Sequence, residues 1–243
     1  MRRKSKLQRH DRSAEYTDLS AQKKPSAFIF DLDGTLVDSE LMGLEVLHEM
    51  ACALGAPWRR EDMHAQFGGK PMAQCAVELA KHIPSDQRPF DEALFVTQLR
   101  ANMAIRFRQD LQEIPGAKVL LQQLHTLQIP FAIGTNGPRE KAELTLGITG
   151  LRDLIGERLF CAPEVGRFKP DPELFLHVAS ALNCAPENCA VVEDSLPGLR
   201  AGLAAGMQVF SLHVRQGLPA EVADRVHFIN SLSQLHAWLP SSI

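Results

Sequence analysis

Asp31 and Asp33 stand two residues apart at the end of the apolar run AFIF, and Gly34 follows them at once. On an extended backbone, residues two apart point the same way. Both carboxylates therefore leave on one side while Leu32 turns toward the core. Two like charges so close are unfavourable unless a cation joins them. A hard divalent ion meets that need, and Mg²⁺ suits it because it takes one or two carboxylates together with water and phosphate oxygens. Gly34 lets the chain turn sharply with its amides facing an anion. Further along, Thr135-Asn136 adds a hydroxyl beside an amide, Lys169 adds an ammonium, and Glu193-Asp194-Ser195 adds a second acid pair. Phosphoryl transfer needs such parts. One carboxylate attacks phosphorus, and a second protonates the leaving oxygen and later takes a proton from water. A metal and a lysine neutralise the transferred charge.

These groups must be held by elements that the sequence also specifies. AFIFD is a short continuous apolar run, as in a parallel strand buried on both faces. Leu41, Leu44, Leu47, Met50 and Leu54 recur at helical steps, with Gly55 as the stop. Residues 41–112 stay helical in character, punctuated by Pro57, Pro71, Pro84 and Pro89. Strands are then expected at 130–135, 158–161, 189–193 and 208–212, separated by helices, with RVHFI a last strand and LSQLHAWL a last helix. Asp171 is expected to cap one of these helices, with Pro172 in its first turn. Alternating strands and helices predict an α/β fold, a doubly wound parallel sheet with right-handed crossovers. The all-helical segment reads as a cap inserted after the first strand. The expected division is a flexible basic tail over 1–25, a core over 26–40 and 113–243, and a helical cap over 41–112. In such sheets ligands sit at the carboxyl ends of strands, which is where Asp31, Thr135, Lys169 and Asp194 fall.

Composition narrows the remaining classes. A formal net charge of -3 over 243 residues argues for no nucleic-acid partner. No apolar run is long enough to cross a membrane. The first 24 residues hold eight Lys/Arg against three Asp/Glu and lack the apolar core of a secretory signal. The five cysteines form no CxxC and are read as reduced thiols of a cytoplasmic protein, with Cys161 and Cys189 on buried strands. DLDGT also looks like the start of an EF-hand loop, but position twelve would be Met42, where a bidentate Glu is required, and position six is not Gly. A monomer is the default expectation.

The four stretches DLDGTLVDS, IGTN, FKPDPE and VVEDSLPG resemble, in order, the signatures of the haloacid dehalogenase (HAD) superfamily, and the intervening helices resemble its small helical cap, type C1. The likeness covers about residues 26–240. It implies that Asp31 is the nucleophile and that Asp33 is the acid/base, its backbone carbonyl also ligating Mg²⁺. It implies that Thr135 binds phosphate through its hydroxyl and that Asn136 orients it. Lys169 then holds Asp31 and the phosphoryl group. Asp194 binds Mg²⁺, with Glu193 a neighbouring or alternative ligand. A dehalogenase is not expected, since Asp33 and the metal acids are present.

The resemblance further points to bacterial sugar-phosphate phosphatases acting on acids such as 6-phosphogluconate, through TNGPREK, the KPDP run and LSQLHAWL. The expected partner is therefore a small phosphorylated molecule. Lys70, in the cap stretch QFGGKPM, is the expected contact for its polar end. Arg139, Lys141 and Arg167 are expected to make a cationic rim. A β-phosphoglucomutase-like enzyme shares core and cap. Mutases of that kind carry a histidine ten residues after the second aspartate, where this chain has Gly43. A non-catalytic phosphate-binding module is the third reading, and it predicts no turnover.

Overall fold

The structure, a computed structural model, describes residues 23–68, 70–84, 89–212 and 217–239. Most of the expected basic tail thus lies outside the described residues. Its last lysines are bound to the body of the protein: Lys23 Nζ donates to Asn188 Oδ1 and Lys24 Nζ to the Leu239 carbonyl, each at 2.5 Å.

Six strands form one parallel sheet: β1 (Ala27–Phe30), β2 (Phe131–Thr135), β3 (Leu159–Cys161), β4 (Cys189–Glu193), β5 (Gln208–Ser211) and β6 (His227–Phe228). Their order is β3-β2-β1-β4-β5-β6, with every pairing parallel. The alternation of side chains sorts each strand between two apolar layers. Phe28, Phe30, Phe131, Ile133 and Val192 pack into one layer, with helices α5 (Ala117–Thr126), α6 (Arg139–Thr149) and α7 (Arg152–Ile155). Ala27, Ile29, Ala132, Cys189 and Val191 pack into the other, with α9 (Glu173–Ala181) and α10 (Leu196–Ala204). Both faces are covered, which is why the strands read as continuous apolar runs. Short helices α8 (Ala162–Val165) and α11 (Ala220–Ala223) complete the connections.

Between β1 and β2 the chain forms α1 (Ser39–Ala53), α2 (Met63–Phe67), α3 (Met72–Ala80) and α4 (Glu92–Asp110). These helices bury their own cluster, including Leu47, Phe67, Leu79, Leu99 and Phe107. They make an inserted helical cap with a core separate from the two layers of the sheet. Chain entry and exit are tied together, with Asp38 N donating to Gln112 O at 3.1 Å and Ile114 N to Leu36 O at 2.8 Å. On the core side, α6 sends Leu144 and Ile148 against the cap cluster and Ala142 and Leu146 into the core.

Two elements differ from expectation. LSQLHAWL forms a 3₁₀ helix, Leu232–Trp238, rather than an α-helix, and still buries Leu232, Leu235 and Trp238. Helix α9 starts at Glu173, not in the Asp171-Pro172 pair. Asp171 Oδ1 accepts from Glu173 N at 2.9 Å, so the aspartate closes the turn leading into the helix.

Candidate active site

The strand order reverses beside β1: β2 lies on one side and β4 on the other. A crevice is expected at the carboxyl ends of strands at such a point. Asp31 and Asp33 leave the end of β1 there, and Glu193 and Asp194 leave the end of β4. Asp31 is tied in at once, its amide donating to Val192 O at 2.9 Å. The next residues fold into a tight turn. Gly34 N donates to Val37 O at 2.8 Å, and the amides of Leu36 and Val37 both reach Leu32 O.

Gly34 has φ +83°, and a Cβ there would stand 1.9 Å from Asp194 Oδ2. Only glycine permits both the backbone conformation and this approach of the two strand ends. Asp194 Oδ1 accepts from the Thr35 hydroxyl at 3.3 Å.

Lys169 lies at the centre, 2% exposed at its side chain. Its ammonium donates to Asp31 Oδ1 at 2.5 Å and to Glu193 Oε1 at 2.7 Å. It also lies 4.8 Å from the centroid of the Phe175 ring. Asn136 fixes the backbone at this lysine: its Oδ1 accepts from Lys169 N at 2.9 Å, and its Nδ2 donates to Lys169 O at 3.3 Å. The two residues are 33 apart in sequence, so Asn136 joins the end of β2 to the loop after α8.

Glu193, fully buried, spends both oxygens. Oε1 meets Lys169, and Oε2 accepts from Asp194 N, Ser195 N and the Ser195 hydroxyl at 3.0, 2.9 and 2.8 Å. The glutamate lies so close to α10 that a Cβ on Gly198 would stand 1.7 Å from its Oε1. Glycine is required at that position for the carboxylate to occupy it.

Asp33 has its own partners. Its Oδ1 accepts from the Ser39 hydroxyl, at the start of α1, and pairs with the Lys141 ammonium of α6 at 2.9 Å. Thr135 is buried, and its Oγ1 accepts from Gly137 N at 3.0 Å.

The electrostatics indicate what the cluster could hold. Oxygens of Asp31, Glu193 and Asp194 lie within 4.8 Å of one another. Burial, with Glu193 and Asp33 adding repulsion, pushes Asp31 up to about 7 despite the pull of Lys169. Burial and the charges of Glu193 and Asp31 push Asp194 well above the carboxylate range. Burial alone would lower Lys169, but Asp31 and Glu193 overcome it and hold the ammonium above the usual lysine range. Burial opposes ionisation of Asp33 too, yet Lys141 and Ser39 outweigh it and set this carboxyl below its usual value. One lysine faces three carboxylates, two of them buried and one partly buried, so the set carries negative charge that a hard divalent cation with oxygen ligands would offset.

The structure therefore brings together Asp31, Asp33, Lys169, Glu193 and Asp194, with Thr135 and Asn136 beside them. Lys70 is exposed on the cap, its ammonium 5.9 Å from the centroid of the Phe67 ring. Arg139 does not join a cationic rim. Glu164 binds its guanidinium at 2.5 and 2.7 Å, and the Leu159 carbonyl takes a further bond at 3.0 Å. Sequence reasoning assigns neither Ser39 nor Lys141 to Asp33. Ser39 ends the first motif, and Lys141 lies in the first turn of the helix after β2; both signals are visible only once β1 and β2 are known to be neighbours. Beside Gly43 the terminal methyl of the flexible Met103 side chain, from α4, lies 2.7 Å from where a Cβ would be.

Comparison with known proteins places this geometry in a family. A family described as haloacid dehalogenase-like hydrolase matches residues 25–206. The chain belongs to that family and is a hydrolase. It is 31% identical to 6-phosphogluconate phosphatase of Escherichia coli K12 over 210 residues, 86% of this chain and 92% of that protein. It is 35% identical to hexitol phosphatase A of the same organism over 193 residues, 79% and 85% of the two chains. Among solved structures, a HAD family hydrolase from Deinococcus radiodurans R1, crystallised with phosphate and sodium, superposes with a TM-score of 0.72 at 30% identity, covering 90% of this chain and 99% of that one.

Proposed function

We propose that the protein is a Mg²⁺-dependent phosphatase of small phosphorylated sugars or sugar acids, working through a phosphoryl group carried on Asp31. It is a phosphoric monoester hydrolase. The observation that carries this reading is the position of Asp31. One oxygen is gripped by Lys169, the other is left free, and Asp33 lies two residues away on the same side.

In this reading the free Asp31 oxygen attacks phosphorus and the ester P–O bond breaks. The acid form of Asp33, which Lys141 and Ser39 disfavour in the free protein, gives its proton to the departing oxygen, which leaves as an alcohol. Water then attacks phosphorus, Asp33 takes its proton, and Asp31 is released with inorganic phosphate. Thr135 donates its hydroxyl to a phosphoryl oxygen. Asn136 acts by holding the Lys169 backbone. Asp31, the Asp33 carbonyl and Asp194 would hold the ion, with Glu193 behind them as fixed negative charge. When bound, Mg²⁺ supplies neutralising charge for the phosphoryl oxygens.

The cap over residues 41–112 would select the leaving group, with Lys70 the candidate contact for a sugar acid's carboxylate. The reading includes a monomeric, cytoplasmic protein. The similarity to sugar-phosphate phosphatases supports the substrate class, and glycine rather than histidine at position 43 favours a phosphatase over a mutase.

The test is phosphate release from a panel of sugar phosphates, with and without Mg²⁺, repeated with Asp31→Asn. Release should require Mg²⁺ and fall at least ~10³-fold in the variant, about 4 kcal/mol of barrier. Comparable turnover by Asp31→Asn would reject the covalent route. A sugar bisphosphate requirement would instead favour the mutase.

A further inference from the structure

We propose that Lys141 is a positioning residue for the leaving-group proton transfer: it fixes one oxygen of Asp33 so that the other is presented to the departing alcohol. The inference rests on the phosphatase reading above and adds a residue and an atom to it. Lys141 Nζ pairs with Asp33 Oδ1 at 2.9 Å, and the Ser39 hydroxyl binds that same oxygen. Oδ2 takes neither bond. It faces a space kept clear because residue 137 has no side chain. A Cβ on Gly137 would stand 3.5 Å from Asp33 Oδ2, 3.3 Å from Thr135 Oγ1 and 4.0 Å from Lys141 Cδ. The free oxygen of the acid, the hydroxyl proposed to bind phosphate and the stem of Lys141 thus border one small gap. The ester oxygen, bonded to phosphorus at one end and protonated by Asp33 at the other, belongs in such a gap.

The helix that carries Lys141 is fixed on several sides. Ala142 and Leu146 are buried in the core, Leu144 and Ile148 pack on the cap cluster, and Arg139 is anchored by Glu164. The ion pair itself is partly solvated, with side-chain exposures of 23% and 24%, so it contributes little to stability. Removing it should leave the fold intact and disturb geometry. Asp33 would then be held through Oδ1 by Ser39 alone and could turn its other oxygen away from the gap.

The variants Lys141→Met and Lys141→Arg test this on two esters: the sugar phosphate turned over fastest in the panel, and p-nitrophenyl phosphate. The sugar alkoxide needs a proton to leave, whereas nitrophenolate departs readily without one. For Lys141→Met, kcat on the sugar phosphate should fall on the order of 10²-fold, with KM changed far less, and the loss on the aryl ester should be at least ~10-fold smaller. Lys141→Arg, which keeps a donor to Oδ1, should recover most of the difference. Thermal unfolding should stay near that of the wild type. Equal losses on the two esters, or a change confined to KM, would overturn the role of Lys141 and leave the phosphatase reading standing. A wild-type protein that released phosphate from neither ester would overturn both.

Discussion

The cluster around Lys169 and the cap belong to one chain tied at Asp38–Gln112 and Leu36–Ile114, yet the two regions are held by opposite means. Around Lys169, buried carboxylates and one ammonium meet in a tightly packed cluster, with glycines at 34 and 198 making room for acid side chains. In the cap, the buried cluster from Leu44 to Leu111 is apolar throughout. Its ion pairs, such as Arg106–Glu49 and Lys81–Glu78, lie on the surface, where such pairs contribute little. The core spends stability on fixed charge, and the cap gains it from non-directional packing. In the proposed reading, chemistry that needs close placement sits on strand ends, and selectivity sits on a scaffold held by apolar packing.

The largest effect should come from removing the central charge. Lys169→Met leaves Asp31 and Glu193 buried without their donor, and kcat on the preferred substrate should drop on the order of 10³-fold. Both sugar and aryl phosphates should suffer, because in the proposed mechanism the lysine serves the phosphoryl group common to both. A drop under about tenfold would mean that the buried cluster is structural and that the contrast with the cap is misplaced.

The opposite test lies in the cap. Leu79 is fully buried in the cap cluster. Leu79→Ala should cost about 2–5 kcal/mol of stability through the cavity it leaves. Hydrogen exchange should show the loss in α1 to α4 rather than in the sheet. Discrimination among sugar phosphates should weaken, while the aryl ester keeps far more of its turnover than it does with Lys169→Met. An equal collapse of aryl turnover in the two variants would break the distinction between chemistry in the core and selection in the cap.

The same contrast governs what the sequence reveals. Apolar runs bounded by acids mark β1 and β4, because a strand buried on both faces has no other reading and a strand end has nowhere else to put charge. Asp31, Asp33 and Asp194 are legible for that reason, whereas Lys169, in the loop after α8, is legible only from its motif. The bonds that Ser39 and Lys141 make to Asp33 are not legible, because they depend on how α1 and α6 are set against the sheet. Arg139 looks like an active-site cation by position, yet Glu164, 25 residues away, takes it. Asn136 sits beside Thr135 in sequence, but its side chain serves the Lys169 backbone. For Lys70, sequence gives a loop and a charge, and the fold gives a cap position; what its ammonium meets in a substrate complex is a question of binding. The last helix read as α because its apolar spacing suits either helix type, and its packing on the core is satisfied by the tighter one.

The smallest effect discriminates the two regions by titration. In the folded protein Asp31 is raised from 3.8 to about 7, so between those values the native state binds more protons than the unfolded chain. This group therefore supports the fold fully below about pH 4, and its contribution is lost as pH rises through about 7. A divalent cation bound by the ionised cluster works in the other direction, stabilising the native state by mass action and competing with the protons. Saturating Mg²⁺ should then raise the unfolding temperature more at about pH 8 than at about pH 5, with added hydrogen-exchange protection at the ends of β1 and β4 and little in the cap. The Asp194→Asn protein should show a much smaller Mg²⁺ shift at the higher pH. A shift of equal size at both pH values, or one centred on the cap helices, would mean that the ion binds elsewhere and that the buried acids are not its ligands.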